Sequence, residues 1–270
     1  MRSILVHTDD SPLMEARFQT GLDIARQCEG HVMLHINTPL QRFVAMDPFG
    51  GAYLAGEAVR DAQAHDAALV DQFAARLAKE DVPWNIETST DELATSLVSA
   101  ARLTDLIIIT NGTAPGTPPG LGAPVAQIAV AARCPVLAVP ATAERVAIEG
   151  RAILCWDGGH ESANALRAAV PLLAAASAVD VVTVVEKADG FPATDALRYL
   201  SHYGIHAELH ERTVSGGLTI EEALEDAAVE LKADWVVMGA FGHSRLRETL
   251  FGGVTRYFIN SARFPLLLVH

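Results

Sequence analysis

Apolar, strand-like stretches alternate with helix-like ones along this chain, and the whole order occurs twice. In the first half the strand-like stretches are residues 3–8 (SILVHT), 31–37 (HVMLHIN), 84–88, 106–110 and 135–139. Between them a helix opens at Ser11 and Pro12 and runs to about Gln27, a second ends near Lys79, and a third opens at Ser89 and Glu92. Proline suits a first helical position, and Ser-x-x-Glu is the spacing of a capping box. The second half repeats the order, with strands at 151–156, 179–185, 207–212, 235–238 and 265–269 and helices at 162–176, 193–203 and 220–231. Thr219 and Glu222 form its capping box, and Pro171 is expected to kink its first helix. Ser89 aligns with Thr219, Leu93 with Ala223, Leu97 with Ala227 and Pro135 with Pro265, all at one spacing. A spacing held across a helix and a strand marks a tandem repeat of one βα domain. The first half alone carries a long excursion, residues 38–56, whose Pro39, Pro48, Gly50 and Gly51 read as a mobile loop.

Strands that alternate with helices form parallel sheets covered on both faces. The expected fold is α/β, two tandem doubly wound open sheets, with domains at 1–141 and 150–270 and a linker at 141–150. Ligands of such sheets sit beyond the carboxyl ends of the strands. Composition narrows the function. A net charge of −13 argues against nucleic acid or an anionic membrane as partner. No uncharged apolar run reaches the roughly 18 residues of a membrane span. The opening MRSILVHTDD reads as a strand rather than a leader, so a cytoplasmic protein is expected. Cys28, Cys134 and Cys155 lack metal or redox spacing and read as buried thiols.

The richest stretch is Asp234–Thr255, DWVVMGAFGHSRLRETLFGGVT. An apolar run, Trp235 to Met238, ends at Gly239; Gly242 follows, and then Gly252 and Gly253 before a helix-like segment. Glycines admit a close ligand, and N–H groups at a helix start attract anions. With Arg245, Arg247 and Arg256 nearby, the stretch reads as a phosphate cradle or as a ligand-free βα turn.

This frame resembles the motif of the universal stress protein family: glycine, two residues, glycine, nine residues, glycine, then Ser or Thr. Gly239, Gly242 and Gly252 keep the spacing; Gly253 stands where the hydroxyl residue belongs, with Thr255 a nearby hydroxyl. The resemblance implies the adenine nucleotide alpha hydrolase-like fold and an adenine nucleotide, ATP, bound alone or with Mg²⁺. It implies Asp157 at the adenine, the Val184 backbone at the base edge, and Gly239, Gly242, His243, Arg245, Gly252, Gly253, Val254 and Thr255 around the rest. It assigns no catalytic residue and no metal ligand. It also implies an intramolecular pseudo-dimer in which residues 135–139 and 265–269 pair antiparallel, with a homodimer of chains a further option.

The first half departs from the motif. Only Gly112 and Gly122 fit the frame, Ala123 and Pro124 replace Gly253 and Val254, and Pro115, Pro118 and Pro119 stiffen the loop. Asp9 keeps the strand-end aspartate, so one competent site and one degenerate site are expected. The implied function is a nucleotide-responsive regulator in stress adaptation, with protein partners. The alternatives are a slow ATPase or phosphotransferase in the same crevice and a nucleotide-free interaction module. Hydrolysis needs a metal site and a positioned base or water; no second carboxylate is evident beside the glycines. Gly242-His243-Ser244-Arg245-Leu246 lacks the closing glycine of a hydrolase elbow, and no Walker lysine occurs. His202, His206 and His210 read as solvated, and Glu221, Glu222, Glu225 and Asp226 as an exposed helix face.

Overall fold

The computed structural model describes residues 1–46, 52–112, 124–184, 192–214, 217–240 and 253–270. They fall into two compact units, Met1–Ile108 and Ile109–His270. The first runs β1 (Ser3–Thr8), α1 (Met14–Cys28), β2 (His31–Asn37), β3 (Val44–Met46), β4 (Ala52–Leu54), α2 (Gly56–Leu77), β5 (Trp84–Ser89) and α3 (Leu93–Ala100), and ends within β6 (Leu106–Asn111). Its main sheet has the order β6-β1-β2-β5, parallel throughout. Ile4, Leu5, Val32, Leu34, Leu106 and Ile107 are wholly buried, as strands covered on both faces must be.

Part of the excursion after β2 is regular, while Pro48, Gly50 and Gly51 lie outside the described residues. A 3₁₀ turn at Leu40–Phe43 leads into an antiparallel hairpin of β3 with β4. Two helix starts also differ from expectation. α1 opens at Met14 rather than Pro12, because the Ser11 hydroxyl donates to Asp9 Oδ1 at 2.6 Å instead of capping the helix. At α3 the expected Ser89–Glu92 box does not form. Glu92 is itself the cap and accepts from the Thr95 N–H at 3.1 Å, while Ser89 Oγ accepts from the Asp91 N–H.

The second unit continues with α4 (Val125–Ala131), β7 (Val136–Pro140), β8 (Arg151–Cys155), α5 (His160–Leu173), β9 (Ala178–Val184) and α6 (Ala193–Ser201). It then adds β10 (Ala207–Arg212), α7 (Ile220–Glu230), β11 (Trp235–Gly239), α8 (Gly253–Ser261) and β12 (Leu266–Val269). The strand order is β10-β9-β8-β11-β12-β7. All neighbours are parallel except β12 and β7, which run antiparallel with Leu267 opposite Leu137. The strands expected at 135–139 and 265–269 therefore pair antiparallel, as the resemblance implied. Both strands are apolar on both faces, and an uncovered edge of that kind would pair with another chain. Thr219 and Glu222 form a complete capping box at α7, each bonding the other's backbone N–H. No described helix is long and apolar enough to cross a membrane.

Beneath the strand end of the first unit lies a buried polar group. Arg17 is 2% exposed; its Nη2 donates to Asp9 Oδ1 at 2.6 Å and its Nη1 lies 3.1 Å from His7 Nδ1. Burial, reinforced by the Arg17 charge, pushes the His7 pKa down to about 3. His35 is shifted down too, by burial, and its Nε2 meets Ser96 Oγ at 2.6 Å. An unfolded histidine titrates near pH 6.5, so between the two values the unfolded chain binds a proton that the native chain refuses. Stability therefore rises with pH across this window and is lost on acidification. Going from pH 7 to pH 5 costs about 2 kcal/mol through His7. The depressed Asp9 carboxyl adds its loss only at lower pH. His7→Gln keeps an acceptor for Arg17 and should remove roughly half of the pH 7 to pH 5 loss. Urea midpoints at the two pH values measure it; an undiminished loss would exclude His7 as the titrating group.

Candidate functional site

In the second unit β8, β9 and β11 are neighbours and end at one edge. β8 runs into Trp156, whose N–H donates to the Val182 carbonyl of β9 at 2.8 Å, and then into Asp157. β9 ends in the half-buried Val184, and β11 ends in Gly239. Asp157 is exposed and its Oδ1 accepts the Gly159 N–H at 2.8 Å, which shapes the turn into α5. Gly159, not Asp157, is the helix cap. The matching turn of the first unit is built alike, with Asp9 Oδ1 accepting the Ser11 N–H at 3.1 Å. The two aspartates differ in what lies below. Burial drives the Asp9 carboxyl up, but the Arg17 charge and the bonds from Ser11 and Arg17 outweigh this and hold it low. The position matching Arg17 in α5 is the buried Ala165, so no such cation holds Asp157 from beneath.

Gly239 has a packing reason to be glycine. A Cβ there would lie 2.6 Å from the Glu161 carbonyl carbon and 2.7 Å from the Ser162 nitrogen, so the first turn of α5 sits directly on the strand end. Its backbone is not in the left-handed region. The start of α8 is pinned to the same place. The Thr255 side chain is buried and its Oγ1 donates to the Gly239 carbonyl at 3.3 Å. Tyr257 ties α8 to α7 by donating to Glu225 Oε2 at 2.6 Å, and that carboxylate pushes the phenol pKa up to about 12. Thus Thr255 orders the helix start, Val254 is half-buried and Gly253 is exposed beside it. Gly242, His243, Arg245, Arg247 and Gly252 lie outside the described residues, as do Pro115, Pro118, Pro119, Gly122 and Ala123 of the first repeat.

One group was missed in the sequence. A Cβ on Gly253 would lie 2.7 Å from Glu221 Oε1, so this carboxylate rests against the start of α8. Glu221 and Glu225 are half-buried, and only Glu222 and Asp226 take the exposed position expected of all four. The signal was present: in a βα repeat every helix begins at the carboxyl edge of the sheet, and the capping box places Glu221 in the first turn of α7. Cys155, just before the site, has its pKa pushed up to about 12 by burial and by Asp157, so it stays a thiol. His202 and His206 are exposed as expected, but His210 is not simply solvated. Its Nε2 lies 2.8 Å from Asp180 Oδ1, and Arg151 Nη1 donates to Asp180 Oδ2 at 2.7 Å. Asp180, Glu208 and His210 converge enough to hold a metal, but both oxygens of Asp180 are already engaged.

No curated protein matches this sequence. Among solved structures, a universal stress protein from Archaeoglobus fulgidus DSM 4304 has the same fold over 98% of this chain and 97% of its own, with a TM-score of 0.76 at 13% identity. A protein of the universal stress protein family from Burkholderia pseudomallei matches 46% of this chain and 97% of its own, at 22% identity and a TM-score of 0.36. A universal stress protein in complex with cAMP matches 45% and 97%, at 23% identity and a TM-score of 0.33. The sequence model of the universal stress protein family matches residues 150–270. That match covers the second repeat and leaves residues 1–149 outside it.

Proposed function

We propose that residues 150–270 bind ATP at the carboxyl edge of their sheet, and that the chain works as a nucleotide-responsive regulator in stress adaptation. The observation that carries the reading is the junction of α8 with β11. Thr255 fastens the helix start to the Gly239 carbonyl, while the neighbouring strand β8 ends in Asp157. An ordered helix start offers N–H groups and a partial positive charge to phosphate, and adjoining strand ends offer a slot for a flat base. In this reading Asp157 and Val184 take the adenine. Gly239, Gly242, His243, Arg245, Gly252, Gly253, Val254 and Thr255 surround the phosphates. Residues 1–141 form a structural partner domain whose own strand-end aspartate is occupied by Arg17. Regulation follows if ATP prefers one of two conformations or partner states.

Titration calorimetry with ATP tests the site. Asp157→Ala should weaken binding about tenfold to a hundredfold, the worth of a hydrogen bond to a charged group. Circular dichroism confirms that the variant folds. No heat with the parent chain, and no nucleotide released when it is denatured, would refute the reading.

A further inference from the structure

Three neighbouring strands of the second unit gather charged and metal-ligating side chains on one face. Ile153 of β8 is in register with Asp180 of β9, and Asp180 with Glu208 of β10. Side chains alternate along a strand, so Arg151, two residues before Ile153, and His210, two after Glu208, share that face. Arg151 Nη1 donates to Asp180 Oδ2 at 2.7 Å, and His210 Nε2 lies 2.8 Å from Oδ1. The strand order ends at β10, and its Glu208 side chain is 83% exposed where that of Asp180 is 1%. Both arginines of this face have carboxylate partners, Arg151 in Asp180 and Arg212 in Glu230. Glu208 has no arginine or lysine partner among the described residues; its Oε2 stands 4.0 Å from His210 Nε2. One imidazole nitrogen therefore faces two carboxylates, the first fixed by burial and the second free to swing in from solvent. Asp180, Glu208 and His210 each offer a ligand atom within 4.8 Å of the others. A tetrahedral ion with bonds of about 2.0–2.1 Å sets neighbouring ligand atoms about 3.3 Å apart. The separations of 2.8 and 4.0 Å lie on either side of that value, so side-chain rotation suffices and the strands need not move.

We propose that Asp180, Glu208 and His210 bind a divalent transition-metal ion of the Zn²⁺ type, with water completing its coordination. The two bonds that Asp180 already makes fit this role. Arg151 engages only Oδ2, as the outer partner that orients a ligating carboxylate. The group on Oδ1 is itself a ligand, so the ion takes the place of one hydrogen between Oδ1 and Nε2 and leaves the pair with Arg151 intact. An imidazole beside carboxylates suits Zn²⁺ and its neighbours in the first transition row, whereas Mg²⁺ prefers oxygen alone. Asp180 lies four residues before Val184 on β9, about 13 Å along the strand, so the site is separate from the strand-end crevice and does not rest on the nucleotide reading. The bound ion joins the edge strand β10 to β9 and stabilises that edge.

Titration calorimetry of the full chain, stripped with EDTA and dialysed, tests the site with Zn²⁺ and with Mg²⁺. The parent chain should bind Zn²⁺ at one tight site and give no matching signal with Mg²⁺. Loss of an outer partner commonly costs 10–100-fold in metal affinity, so His210→Gln should cost about a hundredfold or more and Glu208→Gln at least about tenfold. Glu208→Gln is the sharper variant, because Glu208 is exposed and its loss leaves the bond between Asp180 and His210 in place. A pair that serves packing alone predicts no change there. His206→Gln removes an exposed histidine just before β10 and should leave Zn²⁺ affinity unchanged. Thermal melts of the parent should rise with Zn²⁺, and those of Glu208→Gln should rise less. No Zn²⁺ binding by the parent, or an affinity kept in Glu208→Gln, overturns the proposal. An equal loss in His206→Gln does so too, since it would assign the ion to scattered surface histidines.

Discussion

Asp9→Ala should lower the unfolding free energy of this chain by roughly 3 kcal/mol, and Asp157→Ala at the matching strand end by only about 1 kcal/mol. The difference lies in Arg17, 2% exposed, whose Nη2 donates to Asp9 Oδ1 at 2.6 Å. Removing one member of a buried pair leaves the other charge uncompensated in a poorly solvated place, which usually costs about 3–5 kcal/mol. Asp9 is partly exposed, so the lower end is appropriate. Asp157 loses only its bond from Gly159. Urea denaturation followed by circular dichroism reads both, and titration of the folded Asp9→Ala protein should show ATP affinity unchanged. Equal stability losses would mean that Arg17 finds another partner, and equal affinity losses would mean that the first repeat also binds.

Gly239→Val is expected to destabilise the chain by about 1–3 kcal/mol and to abolish ATP binding in the fraction that folds. The added Cβ would meet backbone atoms of Glu161 and Ser162 rather than a side-chain tip, so α5 must move off the strand end. Gly253→Ala is the control. Among the described residues its Cβ meets only the Glu221 carboxylate, at the end of a flexible chain, so the cost in stability should stay under about 0.5 kcal/mol. Thermal melts of the two variants decide the matter. Similar losses would show that both glycines serve backbone packing alike.

The repeat made much of the fold legible. Thr219 and Glu222 announced the start of α7 because a capping box depends on four consecutive residues and nothing else. The apolar runs at 135–139 and 265–269 announced the buried strands β7 and β12 because period and composition report burial. Local rules failed where a neighbour outside the segment competed. Ser11 should have capped α1, but its hydroxyl goes to Asp9; Ser89 should have shared a box with Glu92, but Glu92 caps α3 itself.

The sequence alone determined the alternation of strands and helices, the strand-end aspartates Asp9 and Asp157, and the glycine frame, because each is a property of residues near one another along the chain. Tertiary structure decided what those residues do. It put Arg17 beneath one aspartate and Ala165 at the matching place beneath the other, set α5 against Gly239, turned Thr255 toward the Gly239 carbonyl, and brought Glu221 to Gly253. Each of these contacts joins side chains or backbone from different elements, and its energy depends on distance and burial that no local spacing encodes.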